Sequence, residues 1–326
     1  MAEIRQLTLD AQYFTNEIAK KGFAEIVHGI RAEEFDTVVS AYAHFTSVHP
    51  DPEPSTMDAM LPRYDDLVVL GKSLDVLDRS ADKQKIWHKY RTNVEDIGKP
   101  DGYSNRYFQE HALRESRGVI LNPPEDNKEF YHFTPGLYAK MVQNHVMYGW
   151  GPIPSEVVAL NNAFGPIHKK ATELMIKVCG LIEETHPEIH TFVTLEALRT
   201  SPIRLLFYHQ SDIPQLGAKH TDKSSMTAQL AESHRGLRIA PGKNAELVEV
   251  NRDSTKAAVF PGTAMESKFP GTPFQPTSHD IVSTNILNEG RRIPSNADAV
   301  CARWAIIFFA NYDNFVNPDK SITHAG

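Results

Sequence analysis

The sequence predicts a mainly β protein with flanking α-helices, and the arrangement of its apolar runs supports this fold class. After Thr191 the chain carries short β-rich runs, including PIRLLFYH, MTAQL, GLRI, KAAVFPG, HDIV and ARWAIIFFAN. Turn residues separate these runs at fairly even spacing, which is typical of an antiparallel sandwich or barrel. We therefore divide the chain into a mixed α/β region at 1–150, a long support helix at 151–190 and a β core at 191–326, together forming one compact unit.

The first region combines one short strand with long polar loops. The run FAEIVHGI at 23–30 follows one glycine and contains another, which favours a strand over a helix. Residues 47–62 and 98–129 are rich in proline and polar side chains and are predicted to be loops. Long loops in a compact protein often carry function.

The support helix is predicted over Ser155–Glu184. Apolar residues recur there at alternating steps of three and four and form one stripe. A helix lying along a sheet explains this stripe better than a coiled-coil seam, because the pattern ends after a few turns. We expect Ser155 to cap the helix and Pro166 to kink it.

Composition and charge exclude several classes of partner. The 326 residues carry a formal net charge of −7, with 41% hydrophobic and 23% charged residues, as in soluble globular proteins. Lysine and arginine are scattered, and nucleic acids and anionic membranes require a basic face. We expect neither as a partner.

The compartment is predicted to be the cytoplasm. Cys179 and Cys301 lie far apart in apolar stretches, which indicates buried, reduced thiols. The N-terminus MAEIRQLTLD lacks the apolar segment of a secretory signal, and no apolar run is long enough to span a membrane.

A candidate metal site begins in the stretch GAKHTDK, residues 217–223. Alternate side chains of a strand point the same way, so His220 and Asp222 could bind one ion. Fe(II) sites for oxygen chemistry use two imidazoles and one carboxylate on one face. His279 is the best third ligand because it begins the strand SHDIV, whereas His234 lies in a turn and His209 precedes a loop.

A candidate anion site lies on the last strand, VCARWAIIFF. Arg303 alternates with Cys301, Ala305 and Ile307 on an apolar strand, where an unpaired charge is costly. Its partner must come from elsewhere, and a bound dicarboxylate is one answer because a guanidinium matches carboxylate geometry. Tyr208 could donate a hydroxyl to the same group. Arg291 and Arg292 are rivals, but both lie in a turn.

Two further groups are weaker candidates. His186 and His190 in HPEIH have the spacing of a zinc pair on a helix, without the usual glutamate. A group of aromatic residues could line a substrate pocket or pin loops to the core, namely Tyr103, Tyr107, Phe108, Phe130, Tyr131 and Phe133.

The order of these motifs resembles the isopenicillin N synthase-like branch of the Fe(II)/2-oxoglutarate oxygenases. IRLLFYH is similar to the family's strand ending in Tyr-Pro, HTD to its His-x-Asp, HRGLRI to the following turn and strand, and RWAIIFFAN to its Arg-x-Ser strand. KKGFAEIVHGI and DNKEFYHF resemble N-terminal segments of the family. The resemblance spans most of the chain, and the order of the short motifs is its specific part.

The resemblance implies a double-stranded β-helix (jelly-roll) core with N-terminal helices flanking it. It also implies Fe(II) bound by His220, Asp222 and His279, and 2-oxoglutarate held by Arg303 and Tyr208.

Two departures from the family pattern stand out. Ala305 replaces the serine of Arg-x-Ser, so we expect co-substrate binding to lose one hydrogen bond, worth about 1 kcal/mol. The family's His-Arg-Val is here His279-Asp280-Ile281.

The implied function is that of a dioxygenase that uses Fe(II), 2-oxoglutarate and O₂, with ascorbate as an aid in vitro. It would oxidise, most simply hydroxylate, a small molecule such as an amino acid or natural-product intermediate, releasing succinate and CO₂. Asp222 fills a position that is small in related halogenases, which favours hydroxylation, desaturation or cyclisation. Two alternatives stay open: an iron oxidase of the isopenicillin N synthase type that needs no 2-oxoglutarate, and a non-catalytic jelly-roll binding protein.

Overall fold

The computed structural model describes a large part of the chain in ordered elements. The described residues are 10–48, 102–105, 128–136, 152–189, 193–209, 215–241, 245–251, 253–282, 294–295 and 299–310, with 139, 142 and 146 as single helical positions. The helices are α1 (Ala11–Lys21), α2 (Ala32–Val48), α3 (Ser155–Thr185), α4 (Leu195–Thr200) and α5 (Thr263–Lys268). Among them, none combines the length and the apolar character that a membrane crossing needs.

The described strands form two antiparallel sheets. The strands are β1 (Ala24–Val27), β2 (Gly102–Asn105), β3 (Lys128–Phe133), β4 (Ile203–His209), β5 (Gln215–His220), β6 (Met226–Glu232), β7 (Leu237–Ala240), β8 (Val248–Glu249), β9 (Lys256–Pro261), β10 (Ser278–Val282), β11 (Pro294–Ser295) and β12 (Ala299–Ala310). The large sheet has the order β1-β9-β6-β12-β4-β3-β2, with β11 paired to β12, and the small sheet has the order β5-β10-β7-β8. The prediction of a mainly β fold with flanking helices is confirmed.

The N-terminal segment is part of the large sheet. Asp10 begins α1 by accepting a hydrogen bond from the backbone of Gln12 at 2.8 Å. The helix ends at Gly22, whose φ of 82° is left-handed and whose missing Cβ would lie 3.0 Å from the backbone of Pro241. The chain then enters β1, the strand predicted for the run at 23–30, which pairs with β9.

Helix α3 packs against one face of the large sheet. It spans Ser155–Thr185, and the whole predicted stripe is buried: Val157, Leu160, Phe164, Ile167, Ala171, Leu174, Val178 and Leu181. The ring of Phe164 stacks on Tyr131 and Phe133 of β3, with centroids 5.6 and 5.2 Å apart. The stripe therefore faces the sheet, as predicted.

The predicted first residue of α3, Ser155, is confirmed, but the predicted cap is wrong. The cap position is Pro154, which makes no side-chain cap, and Ser155 is already the first helical residue. Pro154 has a φ of −57°, as its ring requires, and an extended ψ of 146°, so the helix begins at the next residue. The helix continues through Pro166 to Thr185.

Two apolar cores lie on the two faces of the large sheet. The larger core joins the helices to the sheet. The smaller core lies between the two sheets and consists of Phe130, Leu206, Tyr208, Leu216, Leu237, Ile239, Val250, Ala258, Phe260 and Ile281. Side chains on the inner face of the large sheet thus point into the space between the sheets.

Cys179 is a buried thiol, as predicted. Burial, with a smaller contribution from the nearby charge of Glu183, raises its pKa to about 12. The side chain of Cys301 lies outside the described residues.

We predict that Phe164→Ala lowers the free energy of unfolding by about 3–5 kcal/mol, because it leaves a cavity beneath two stacked rings. The matched control on the same helix is Ile176→Ala, since Ile176 is 45% exposed and should change stability by less than about 1 kcal/mol. Urea denaturation followed by circular dichroism measures both. Equal effects of the two changes would contradict the packing described for α3.

Candidate metal centre

Three predicted ligands meet at one end of the space between the sheets. Each of His220, Asp222 and His279 offers one ligand atom, and these atoms lie within 4.8 Å of one another. Asp222 Oδ1 is 3.7 Å from His220 Nε2 and 3.8 Å from His279 Nε2. Two imidazoles and one carboxylate thus converge as the sequence predicted.

The strand pairing brings the two histidines together. β5 and β10 are antiparallel neighbours, and His279 is the direct register partner of His220. Side chains of directly paired residues lie on the same face. The two ring centroids are accordingly 4.3 Å apart.

Backbone carbonyls fix which nitrogen of each ring can bind a metal. His220 Nδ1 lies 2.7 Å from the carbonyl oxygen of Ala218, and His279 Nδ1 lies 3.3 Å from that of Thr277. A carbonyl can only accept, so each Nδ1 carries the proton and each Nε2 keeps its lone pair. The lone pairs therefore point to the position that Asp222 shares.

The pKa of His220 is lowered, which favours the neutral ring that a metal requires. Desolvation on its protein-facing side is the larger cause, and the neighbouring His279 adds to it, although the His220 side chain remains 46% exposed. The neutral form is the ligand form of histidine.

Asp222 lies beyond the strand on which it was predicted. β5 ends at His220, and Asp222 belongs to the loop that follows. That loop is held by a hydrogen bond from the Thr263 backbone to the carbonyl of Asp222, 2.8 Å long. The loop also runs against Gly262, where an added Cβ would meet the Ser224 carbonyl at 2.0 Å.

A hydroxyl orients the Asp222 carboxylate. Thr227 Oγ1 donates to Asp222 Oδ2 at 2.7 Å, and Ser224 Oγ lies 2.9 Å from the same hydroxyl. One carboxylate oxygen is thereby occupied, and the other faces the two histidines. The sequence analysis did not single out Thr227, although it follows HTD by a few positions on the next strand.

Asp280, which stands where the family pattern has an arginine, forms an ion pair with another residue. Asp280 is 2% exposed and pairs in register with Arg238 of β7, which donates to it through two nitrogens at 2.9 and 2.5 Å. This two-pronged pair satisfies a buried carboxylate next to His279. The acid that replaces the family's arginine is thus balanced by an arginine on the neighbouring strand.

Arg303 is buried on the inner face of the large sheet. It is 1% exposed, and its Nε donates to the carbonyl of His234 at 3.1 Å. Its Nη1 is buried and has no hydrogen-bond partner among the described residues. One nitrogen of this buried guanidinium is therefore left unsatisfied within the described residues.

The remaining nitrogen of Arg303 binds a carboxylate that the sequence analysis missed. Nη2 donates to Glu232 Oε2, which also accepts from Gln229 at 2.7 Å. Glu232 ends β6, the neighbour of β12, and the register shifts between the two strands. This register shift turns the Glu232 side chain to the inner face of the large sheet. No pattern in the sequence predicts that orientation.

Tyr208 lies beside Arg303, as its predicted role requires. The two are register partners in β4 and β12, and the guanidinium carbon is 5.4 Å from the tyrosine ring centroid. Tyr208 is 3% exposed. A carbon added to Gly217 of β5 would be 3.5 Å from the ring, so the small sheet closes over this residue.

None of the weaker candidates that the structure describes joins the three ligands in one cluster. Helix α3 ends before His186, whose ring nitrogen lies 2.9 Å from Glu188. His190 lies outside the described residues, so the pair in HPEIH stays a prediction. Tyr131 and Phe133 belong to the larger core, whereas Phe130 faces the space between the sheets. The side chain of His209 and the residues Arg291, Arg292, Tyr107 and Phe108 lie outside the described part of the chain, as does the side chain of Tyr103. His234 contributes its carbonyl to Arg303.

We predict that Asp222→Ala and His279→Ala each sharply reduce retention of Fe(II), because two protein ligands hold the ion much more weakly than three. Thr227→Val, which removes only the hydroxyl contact to Asp222, should weaken binding about 10–100-fold. His186→Ala is the matched control, since it removes an imidazole away from the site. Anaerobic loading followed by desalting and elemental analysis measures retained iron, and full retention by either ligand variant would contradict the assignment.

Comparisons with known proteins give matches in structure alone. No protein-family model matches the chain. No curated protein sequence matches it either.

Several solved structures share the fold. A full-length Neurospora crassa protein in complex with alpha-KG (2-oxoglutarate) and 5-formyluracil is 16% identical, with 93% of this chain and 78% of that chain covered and a TM-score of 0.54. A protein assigned as an oxygenase from Shewanella oneidensis is 17% identical, with 93% and 86% covered and a TM-score of 0.53.

A third structure bears on the fold class. A protein of Caulobacter crescentus assigned to the 2OG-Fe(II) oxygenase family is 15% identical, with 93% of this chain and 82% of that chain covered and a TM-score of 0.52. The chain therefore has the jelly-roll fold of the Fe(II)/2-oxoglutarate oxygenases, as the sequence resemblance implied.

Proposed function

We propose that the protein is a non-haem Fe(II)- and 2-oxoglutarate-dependent oxygenase acting on a small molecule. The observation that carries the proposal is the convergence of His220, Asp222 and His279. A buried guanidinium with an unsatisfied donor lies on the sheet that faces the smaller core. The reaction would consume 2-oxoglutarate, O₂ and a substrate C–H bond and give succinate, CO₂ and an alcohol.

The donor set fits Fe(II). His220 and His279 would contribute Nε2 and Asp222 one carboxylate oxygen, a set that leaves further positions on the ion open. When bound, iron with 2-oxoglutarate and O₂ supplies the oxidising power. An aspartate ligand fills the position that a halide would need, which supports hydroxylation, desaturation or ring closure.

The surroundings of Arg303 fit the distal carboxylate of 2-oxoglutarate. Its buried Nη1 lacks a partner among the residues described, and a carboxylate oxygen would satisfy it. Tyr208, its register partner, would add a hydroxyl donor. These residues bind and orient the co-substrate, and the apolar residues between the sheets exclude water.

We predict that anaerobic protein with Fe(II) develops a weak visible charge-transfer band on adding 2-oxoglutarate, because a chelating 2-oxo acid produces one. The Asp222→Ala protein is the control and should show no band. With O₂, ascorbate and pools of small metabolites, succinate release should rise with the true substrate. A protein that binds iron and shows neither band nor succinate release would contradict dependence on 2-oxoglutarate.

One observation favours a second candidate, an iron oxidase that uses O₂ without 2-oxoglutarate. Arg303 is already paired with Glu232, so the positive charge that would attract a co-substrate is balanced within the protein. A dicarboxylate bound here would add a further negative charge to a buried pair, which is unfavourable. The charge-transfer band distinguishes the two candidate functions, because only an enzyme that binds 2-oxoglutarate on its iron develops it.

We predict that Glu232→Gln tightens 2-oxoglutarate binding by about tenfold or more, equivalent to about 1.4 kcal/mol, because it removes a carboxylate that competes for Arg303. It should also lower stability in the absence of co-substrate, since an arginine would be buried without its counter-charge. Titration of the charge-transfer band measures affinity, and a thermal-shift assay measures stability.

The matched control for this change is Glu196→Gln, which removes an exposed carboxylate on α4. It should leave both affinity and stability unchanged. Unchanged or weaker 2-oxoglutarate binding by the Glu232→Gln protein would show that Glu232 does not compete with the co-substrate.

A further inference from the structure

The proposed co-substrate site contains one positive and one negative charge, both inside the protein. The Arg303 side chain is 1% exposed and that of Glu232 is 9% exposed. The two groups are in direct contact through Arg303 Nη2 and Glu232 Oε2. A ligand that ends in a carboxylate would bring a second negative charge to a pair that is already balanced, and an unbalanced buried charge is unfavourable.

Gln229 and the strand pairing keep Glu232 beside the guanidinium. Gln229 is 1% exposed, and its Nε2 donates to Glu232 Oε2 at 2.7 Å. The register partner of Glu232 is Ala305, two positions from Arg303 on β12. Moving the Glu232 carboxylate away from Arg303 would break both hydrogen bonds to Oε2, so we expect the negative charge to stay in place when a ligand binds.

Arg303 still offers one hydrogen-bond donor to a ligand. Its Nη1 is buried and has no hydrogen-bond partner among the described residues. An uncharged acceptor would satisfy this nitrogen and leave the charge balance of the pair unchanged. The carbonyl oxygen of a ketone, an ester or an amide is an acceptor of this kind.

A second cation near this site does not change the charge balance of the buried pair. Lys128 is half-buried, with its Nζ 5.8 Å from the ring centroid of Tyr208, and its charge also acts on His220. Water screens a half-exposed charge more than a buried one, and Glu232 is in direct contact with Arg303. The acid beside Arg303 is therefore the stronger influence on a ligand that binds this guanidinium.

We propose that Glu232 sets the charge selectivity of this site, so that it holds the uncharged carbonyl end of a 2-oxo acid at least as tightly as a carboxylate end. The proposal rests on the proposed function and widens its co-substrate class to 2-oxo acids with a neutral acceptor at the far end. An arginine without a paired acid would favour the carboxylate end instead.

The test compares three 2-oxo acids of nearly equal size. Anaerobic protein with Fe(II) is titrated in a calorimeter with 2-oxoglutarate, with 2,5-dioxohexanoate, which has a methyl ketone in place of the far carboxylate, and with 2-oxohexanoate, which has no acceptor there. We expect 2,5-dioxohexanoate to bind at least as tightly as 2-oxoglutarate and about fivefold more tightly than 2-oxohexanoate. Tighter binding of 2-oxoglutarate than of 2,5-dioxohexanoate overturns the proposal, and so does equal binding of the two neutral-ended acids.

A variant assigns the selectivity to Glu232. Glu232→Gln should reverse the order, with 2-oxoglutarate binding about tenfold or more tightly than 2,5-dioxohexanoate, because Arg303 then lacks its counter-charge. A ratio of two affinities measured on one protein is insensitive to a general loss of stability. Glu196→Gln on the exposed side of α4 is the matched control and should keep the wild-type order. A Glu232→Gln protein that keeps the wild-type order contradicts the assignment.

The charge-transfer band, recorded in the same titrations, separates this proposal from the proposed function. The expected order of affinities without a band from any of the three acids supports charge selectivity and contradicts chelation on iron. A normal band with 2-oxoglutarate as the tighter ligand does the reverse. Absence of binding by all three acids contradicts both.

Discussion

The antiparallel pairing of β5 with β10 is the constraint on which the site depends. It places His279 directly opposite His220, and a slip of one residue would turn either ring to the other face of the sheet. Each ring is then oriented by the backbone carbonyl two positions earlier in the chain. This is the carbonyl of Ala218 for His220 and that of Thr277 for His279. These contacts involve only the two strands and the residues next to them. The two Nε2 atoms are therefore held in place by backbone pairing and backbone carbonyls, without a further helix or strand.

The interior of this fold has to accommodate positive charge, and it does so in two ways. Arg303 is balanced by Glu232 and a carbonyl, which is the hydrogen-bonded pairing that a buried charge demands. Arg204 lies over two aromatic rings, where its charge interacts with π faces.

The sequence predicted the convergence of three side chains better than it predicted the elements around them. The proximity of His220, Asp222 and His279 was predictable because metal chemistry restricts ligand type and number, and such restrictions are visible in residue types. The strand boundary at His220 was not predictable, since the hydrogen bonds that end β5 involve residues far along the chain. The first residue of α3 was predicted correctly, but its cap was misassigned because two adjacent residues, a proline and a serine, both suit a helix start.

Glu232 is a different kind of omission. It is an ordinary glutamate at a strand end, and only the register shift between β6 and β12 turns it toward Arg303. A shift of that kind is a property of two strands distant in sequence, so no local pattern reveals it. By contrast, the apolar neighbours of Arg303 on its own strand predicted that its partner comes from another part of the chain. Glu232 is that partner.

Ala305 and Glu232 together determine how the proposed anion site of this chain differs from an Arg-x-Ser pattern. Ala305 is fully buried and lies directly opposite Glu232 in the register of β12 with β6. Loss of a serine hydroxyl at this position removes one hydrogen bond, worth about 1 kcal/mol. A carboxylate that shares a buried guanidinium is a larger effect, because breaking such a pair costs about 3–5 kcal/mol. The charge balance around Arg303, rather than the missing hydroxyl, would therefore set how strongly the proposed site holds a dicarboxylate.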